Sequence, residues 1–438
     1  MARQPLASAD QPYPEWVTTT LPGPGGEAAG EQPEVTALLV PRDGVPGVVE
    51  SAAQLAEVVA RFAAGTGPVA VDAERASGYR YSQRAYLVQL RRVGAGTALV
   101  DPIACPDLSL LGKVLQGCEW VLHAANQDLP CLAEIGMVPP AVFDTELAGR
   151  LAGFERVGLG AMVEKVLGLR LEKGHSAADW STRPLPRDWL VYAALDVEVL
   201  LELRDALAAE LAEQGKLEWA HQEFEAVRTA PPAPARVDPW RRVSGLHRLR
   251  TPRQLAAVRA VWEVRDRMAR GRDTAPGRIL PDSAIIAAVT AAPTTTVELT
   301  ALPVFGGRST RRHADTWLQA LQRAATLPEA DLPQPVPVGD TPPPPNRWNE
   351  RDPVAARRLA RVRAAVNALA LAHSMPAENL LQPDSVRRLA WSPPRPADEA
   401  AVRAALSASG ARAWQLELVV APLTTALTEP VAPTDDPA

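Results

Sequence analysis

The chain has 438 residues, 47% of them apolar and 22% charged, with a net charge of −5. That length exceeds one ordinary hydrophobic core and points to about two to four domains. The acidic balance excludes a protein that coats nucleic acid over its whole surface, though not one with a local basic face. No apolar run reaches the roughly 18 residues of a membrane span. The Pro-, Gly-, Ala- and Glu-rich start lacks the pattern of a signal peptide, so a cytoplasmic protein with no membrane partner is expected.

Segment 1–32 reads as a disordered lead-in. Residues 33–228 then alternate strand and helix signals. A short apolar run at 68–71 follows a Gly-Thr-Gly-Pro turn, and β-rich runs at 85–90 and 97–100 are separated by Gly94 and Gly96. Residues 108–115 are amphipathic, 120–123 are strand-like, and 128–135 are helical in pattern. Periodicity near 3.6 returns at 159–167 and over the long stretch 187–214. The pattern predicts an α/β domain, a mixed sheet flanked by helices. Cys105, Cys118 and Cys131 have no zinc-like spacing, which fits reduced thiols.

Two proline-rich stretches, 229–239 and 327–345, cannot continue helix or sheet and read as semi-rigid linkers. They set off two small all-α pieces, 238–328 and 346–428, ahead of a tail at 429–438. The two pieces look related. Each carries a Pro-Asp-Ser triplet, at 281–283 and 383–385, followed by an apolar helical pattern. Pro-Asp-Ser is also a plausible N-terminal cap.

The chemistry sits in the first piece. Asp72 and Glu74 are two apart on a strand, so both side chains leave one face. They follow Val-Ala-Val, which belongs inside a sheet, where carboxylates are costly unless paired or metal-bound. The plain alternative is an exposed strand end with two solvated acids. Asp128 follows an apolar strand at the start of a helix, where the helix dipole alone would favour it. Tyr192 and Asp196 are four apart on a helix and share a face beside Leu190, Leu195, Val199 and Leu200. An unpaired acid beside that buried stripe is out of place, whereas a tyrosine there also fits as core packing. Oxygen-only ligands suit Mg²⁺ or Mn²⁺, and two such ions can serve phosphodiester hydrolysis, with a tyrosine hydroxyl orienting the water.

As a set, Val69-Ala-Val-Asp-Ala-Glu74, His123-Ala-Ala-Asn-Gln-Asp128 and Tyr192-Ala-Ala-Leu-Asp196 resemble the motifs of the tyrosine-bearing DEDD exonucleases, and more closely the ribonuclease D family. Tyr86-Leu-Val-Gln-Leu90, Phe143-Asp-Thr145, Gly174-His-Ser176 and Asp179-Trp-Ser-Thr-Arg-Pro-Leu185 add to the match, which covers about 66–215. The resemblance implies a ribonuclease H-like fold and two divalent ions, Mg²⁺ or Mn²⁺, held by Asp72, Glu74, Asp128 and Asp196. It implies that Tyr192 positions or activates water. It also implies 3′-to-5′ hydrolysis of RNA with a free 3′ end to nucleoside monophosphates, with tRNA 3′ ends among the substrates. The second piece is similar to the HRDC domain, a nucleic-acid-binding module, and the third to an HRDC-like C-terminal domain. A monomer is expected.

Two other readings stand beside this one: a DNA 3′-to-5′ exonuclease, since the same site cleaves either polymer, and a non-catalytic RNA-binding scaffold. Outside the five residues, His123 reads as structural, and Trp180 and Trp189 as packing. His175 lies in a loop before the tyrosine helix. From Arg236 to Arg278 twelve arginines face four acids, either a phosphate-tracking surface or a solvated helix face. Tyr79 and Tyr81 could stack on a terminal base or pack the loop.

Overall fold

The computed structural model describes residues 35–171, 174–175, 177–334 and 342–429. The expected disordered segment 1–32 and all but the first residue of the tail lie outside these, as does Ser176. The first domain holds β1 (Thr36–Leu38), β2 (Val48–Val49), α1 (Ala52–Ala64), β3 (Thr66–Arg75), β4 (Ala85–Val93), β5 (Gly96–Val100), α2 (Ser109–Val114), β6 (Trp120–Leu122), α3 (Leu129–Glu134), β7 (Val142–Asp144), α4 (Thr145–Leu151), α5 (Leu159–Leu167), β8 (Leu169–Leu171), α6 (Arg187–Glu198), α7 (Leu200–Glu213) and α8 (Leu217–Arg228).

Six strands form one mixed sheet in the order β2-β5-β4-β3-β6-β7, and β1 pairs separately with β8. The tight turn at Gly94 and Gly96, both at positive φ, makes β4 and β5 antiparallel neighbours. β3 runs antiparallel to β4 and parallel to β6. Alternation along β3 splits its side chains between two layers. Val69, Val71 and Ala73 join Phe62 of α1, Leu111 of α2 and Leu132 of α3. Ala70 turns to the opposite face, with Phe143 and the helices α4 to α8. Asp72 and Glu74 share this second face by register, and α6 covers it.

The helical periodicity over 187–214 is carried by two helices, with Val199 between them. The periodicity runs on because both helices bury apolar residues against the same layer, Val197 from one and Leu203, Leu207 and Leu211 from the other.

The second domain contains α9 (Pro252–Gly271), α10 (Pro276–Ile279), α11 (Asp282–Ala291), α12 (Thr296–Ala301), α13 (Arg308–Arg311) and α14 (Ala314–Ala325). The third contains α15 (Trp348–Arg351), α16 (Pro353–Ala372), α17 (Ala377–Leu380), α18 (Pro383–Trp391), α19 (Glu399–Ala408) and α20 (Ala413–Thr428). The repeat seen in the sequence appears here as matching runs, a 20-residue helix, a single turn and a further helix (α9 to α11 and α16 to α18). The Pro-Asp-Ser triplets are not caps. Pro281 and Gln382 occupy the N-cap positions without a side-chain hydrogen bond, while Asp282 pairs with the buried Arg265 at 2.6 Å.

The two helical domains are held differently. The second has its own core around Trp240, Val261, Ile285 and Trp317. The third continues the nuclease core, with Trp348, Val362, Trp414 and Leu423 in one apolar cluster with Leu207 and Phe224. At that seam Arg412 pairs with Glu223, the Trp414 indole donates to Glu223 (3.0 Å), and Trp219 stacks on Trp414 at 4.9 Å. Gly153 sits at the same seam with φ +83°, and an added Cβ would collide with the Ser374 carbonyl oxygen. Gly153→Ala should therefore lose about 2 kcal/mol or more, from the left-handed backbone and the displaced carbonyl together. Thermal melting reads the loss, and an unchanged melting temperature would show that the corner yields freely.

Among the described residues no helix is long and apolar enough to cross a membrane. All three cysteines are free thiols, two of them buried.

Candidate active site

The five predicted residues reach one place from three elements. Asp72 and Glu74 stand on β3, Asp128 closes the turn after β6, and Tyr192 and Asp196 face inward from α6. Carboxylate oxygens of Asp72, Glu74 and Asp196 lie within 4.8 Å of one another. Asp128 stands outside that trio, its Oδ1 3.5 Å from Arg75 Nη2, but it shares a hydrogen bond with Asp72 and its charge acts on Glu74. Tyr192 feels Asp196, Glu74 and Asp72 in turn.

So many acids in a covered site hold their protons. Burial first, then the charges of Asp72, Asp196 and Asp128, push the Glu74 carboxyl up to about 10. Burial, with the Asp72 charge added, pushes Asp128 up to about 8, with Arg75 opposing. Burial also raises Asp72, against the Ala73 amide and Arg75, and takes Asp196 well above the carboxylate range. The Tyr192 phenol is raised too, by burial and then by Asp196. A cluster this short of cations has the negative charge and the all-oxygen donor set that fit hard divalent ions. A second feature fits hydrated ions. Gln89 lies directly opposite Asp72 in the β3–β4 register, fully buried, and neither amide atom has a hydrogen-bond partner among the described residues.

Side-chain capping does not account for Asp128. It occupies the N-cap of α3 but makes no capping hydrogen bond and turns to Arg75 instead. Two residues beyond the five shape this corner. Arg75, next in sequence to Glu74, is the cation acting on Asp72, Glu74 and Asp128. A register shift between Glu74 and Arg75 re-aims the strand there. Asp144 caps α4 through the Glu146 and Leu147 amides and also accepts from the amides of Ala124 (3.1 Å) and Ala125 (2.8 Å). That ties down the turn leading to Asp128, where Ala124 takes a left-handed φ of 58°. An Asp closing a short strand before a helix is its sequence signal.

His123 is structural, as expected. Its Nδ1 meets Thr145 Oγ1 at 2.9 Å, and because that hydroxyl already donates to the Leu122 carbonyl, the imidazole is the donor. Burial lowers its pKa to about 4, so the ring is neutral. Trp180 is fully buried, with Trp189 5.3 Å away, and both pack. His175 stands edge-on to the Tyr192 ring at 5.8 Å.

Tyr79 and Tyr81 are not free stacking platforms. Arg278 covers the Tyr79 ring at 4.0 Å, and the Tyr81 hydroxyl donates to Asp266 at 2.9 Å. The arginine-rich segment is likewise partly spent inside the fold. Arg241 pairs with Asp238, Arg265 with Asp282 and Arg270 with Asp266, while Arg253 and Arg259 donate to backbone carbonyls. Arg236, Arg242, Arg248, Arg250 and Arg267 stay exposed.

A mixed ribonuclease H-like sheet with this acidic centre, followed by helical domains, defines a 3′–5′ exonuclease. The 3′-5′ exonuclease family model matches residues 46–212, the HRDC model residues 254–321, and the 3′ to 5′ exonuclease C-terminal domain model residues 341–427. The third domain thus answers to a model of its own rather than to a second HRDC match. Ribonuclease D of Acidiphilium cryptum is 34% identical over 305 residues, 66% of this chain and 74% of that protein. Ribonuclease D of Escherichia coli is 33% identical over 294 residues, 66% of this chain and 76% of that protein. In three dimensions the chain is similar to a protein from Bifidobacterium adolescentis (TM-score 0.84, 37% identity, 90% of this chain and all of that one). It is also similar to Escherichia coli RNase D (TM-score 0.63, 27% identity, 87% of this chain and 98% of that one). The chain belongs to the ribonuclease D family.

Proposed function

We propose that the protein is a cytoplasmic, monomeric, metal-dependent 3′–5′ exoribonuclease that trims structured RNA precursors, tRNA 3′ ends among them. Asp72, Glu74, Asp128 and Asp196 hold two divalent ions, Mg²⁺ or Mn²⁺, and Tyr192 orients the attacking water. The observation that carries this reading is the convergence of four acids from β3, the β6 turn and α6. Two divalent ions held by these residues would supply activation of the water and stabilisation of the leaving oxygen. Tyr192, its phenol raised by burial and by Asp196, remains protonated near neutral pH and serves as a hydrogen-bond partner rather than a phenolate base. Hydrolysis adds water across the last phosphodiester, releasing a nucleoside 5′-monophosphate and leaving a new 3′-hydroxyl. RNA as the polymer is supported by the relatives, of which the Escherichia coli protein is described as an exoribonuclease involved in structured RNA processing.

A 5′-labelled RNA incubated with Mn²⁺ should give a ladder shortening from the 3′ end. A matched DNA strand should be degraded more slowly. Internal cuts would redirect the reading to an endonuclease, and equal rates on DNA would favour the repair-type alternative. Tyr192→Phe, which keeps the ring and removes the hydroxyl, should slow the reaction by about 10- to 100-fold without abolishing it. A wild-type rate in this variant would remove the hydroxyl from the mechanism.

A further inference from the structure

Both helical repeats meet the nuclease domain through the same corner, the second residue past their long helix. Asp273 after α9 and Ser374 after α16 both adopt left-handed backbone, at φ 44° and 47°. Ser374 presents its carbonyl to Gly153. Asp273 presents its carboxylate to the loop between β3 and β4, accepting from the Ser82 amide at 2.8 Å and the Tyr86 hydroxyl at 3.4 Å, with Arg84 at 3.9 Å. The same loop is gripped along its length. The Ala275 amide donates to the Tyr79 carbonyl (2.9 Å), Arg278 Nε donates to the Gly78 carbonyl (2.9 Å), and the Tyr81 hydroxyl donates to Asp266 (2.9 Å). Tyr81 also packs against the core of the second domain.

This loop borders the acidic centre on two sides. It leaves β3 directly after Glu74 and Arg75, and it also touches the segment that feeds α6. Arg80 Nε donates to Ser181 Oγ at 2.8 Å, and Arg183 Nη2 donates to the Tyr86 carbonyl at 2.7 Å while pairing with Asp101. A few residues later α6 begins and carries Tyr192 and Asp196. Hydrogen bonds therefore run from the second domain through this loop to the segments that adjoin β3 and α6. Two-sided hydrogen bonding of this kind fixes a loop that short side chains alone would leave free.

We propose that the second domain is a positioning element of the catalytic centre, with Asp273 and Tyr81 clasping the β3–β4 loop so that β3 and α6 keep their acids in register. The proposal rests on the exonuclease reading above. An element that acts only by gripping RNA would matter only for RNA long enough to reach it, whereas a positioning element matters for every substrate.

The test uses the full chain in Mn²⁺ and the shortest RNA that the wild-type protein degrades, starting from the dinucleotide pApA, beside an RNA of about 30 nucleotides. Asp273→Ala should lower kcat on the shortest RNA about tenfold with KM within about twofold, since a small misplacement of reacting groups costs rate rather than binding. Asp273→Asn, which keeps an acceptor for the Ser82 amide, should recover most of that loss, and Tyr81→Phe should fall between the two. Unchanged kcat on the shortest RNA, with only the KM of the longer one raised, would overturn the proposal and leave the domain as an RNA grip. A tenfold loss that Asp273→Asn does not repair would also overturn it. Wild-type protein that degrades no RNA of any length would instead defeat the exonuclease reading itself.

Discussion

Asp196→Asn is expected to cut hydrolysis of a 3′-ended RNA by on the order of 10²- to 10⁴-fold while the metal-free protein melts no lower than wild type. The two halves of this expectation have one cause. Asp196 lies among Asp72, Glu74 and Tyr192 in a covered site, where burial and the Asp72 charge hold its carboxyl well above the usual range. The fold alone gains nothing from an acid there, because a group that resists ionising costs stability once the pH passes its ordinary value. An amide of the same shape removes that cost, and with it the charge needed to hold a divalent ion. Asp128→Asn should behave alike in activity, with the difference that it changes the group 3.5 Å from Arg75. RNA binding should persist in both variants, since the exposed arginines of the second domain are untouched. Rates by product ladder, melting by calorimetry and affinity by filter binding separate these effects. Activity within about fivefold of wild type would remove Asp196 from the ligand set.

The carboxylate site was legible in the sequence because its geometry is local. A two-residue step on β3 and a four-residue step on α6 fix which side chains share a face, and the acids lie on faces that are otherwise apolar. What escaped was non-local. Nothing within 187–214 marks the break at Val199, since no Gly or Pro stands there and both helices bury the same layer. Arg75 looks like any strand-end arginine until the register shift turns it toward Asp128. Tyr79 and Tyr81 looked like candidates for base stacking because their partners, Arg278 and Asp266, come from another domain far along the chain. Composition could not reveal that the third domain shares the nuclease core while the second keeps its own. Apart from the unmarked break at Val199, sequence separation is the common reason.

Metal and pH should act on this protein together. In the metal-free state Glu74 is pushed up to about 10 from an ordinary 4.5, and Asp128 up to about 8 from 3.8. The unfolded chain releases these protons near pH 4, whereas the folded chain keeps them until pH 8 to 10. Between those limits the folded state binds more protons, so its stability falls as pH rises, by up to about 1.4 kcal/mol per pH unit for each such group. The contribution is fully present below about pH 4 and is lost as the pH climbs through the folded values. If these acids are the ligands, divalent ions bind their ionised form, so binding should release protons and tighten across the same window. In EDTA the melting temperature should drop between about pH 6 and pH 9, and in millimolar Mn²⁺ the drop should shrink or reverse. Hydrolysis should cease in EDTA, return with Mn²⁺ or Mg²⁺, and rise with pH over the range in which the acids ionise. Calorimetric titration of Mn²⁺ in buffers of different ionisation enthalpy counts the protons released. If that count is zero and the two melting profiles run parallel, the buried acids are not the metal ligands.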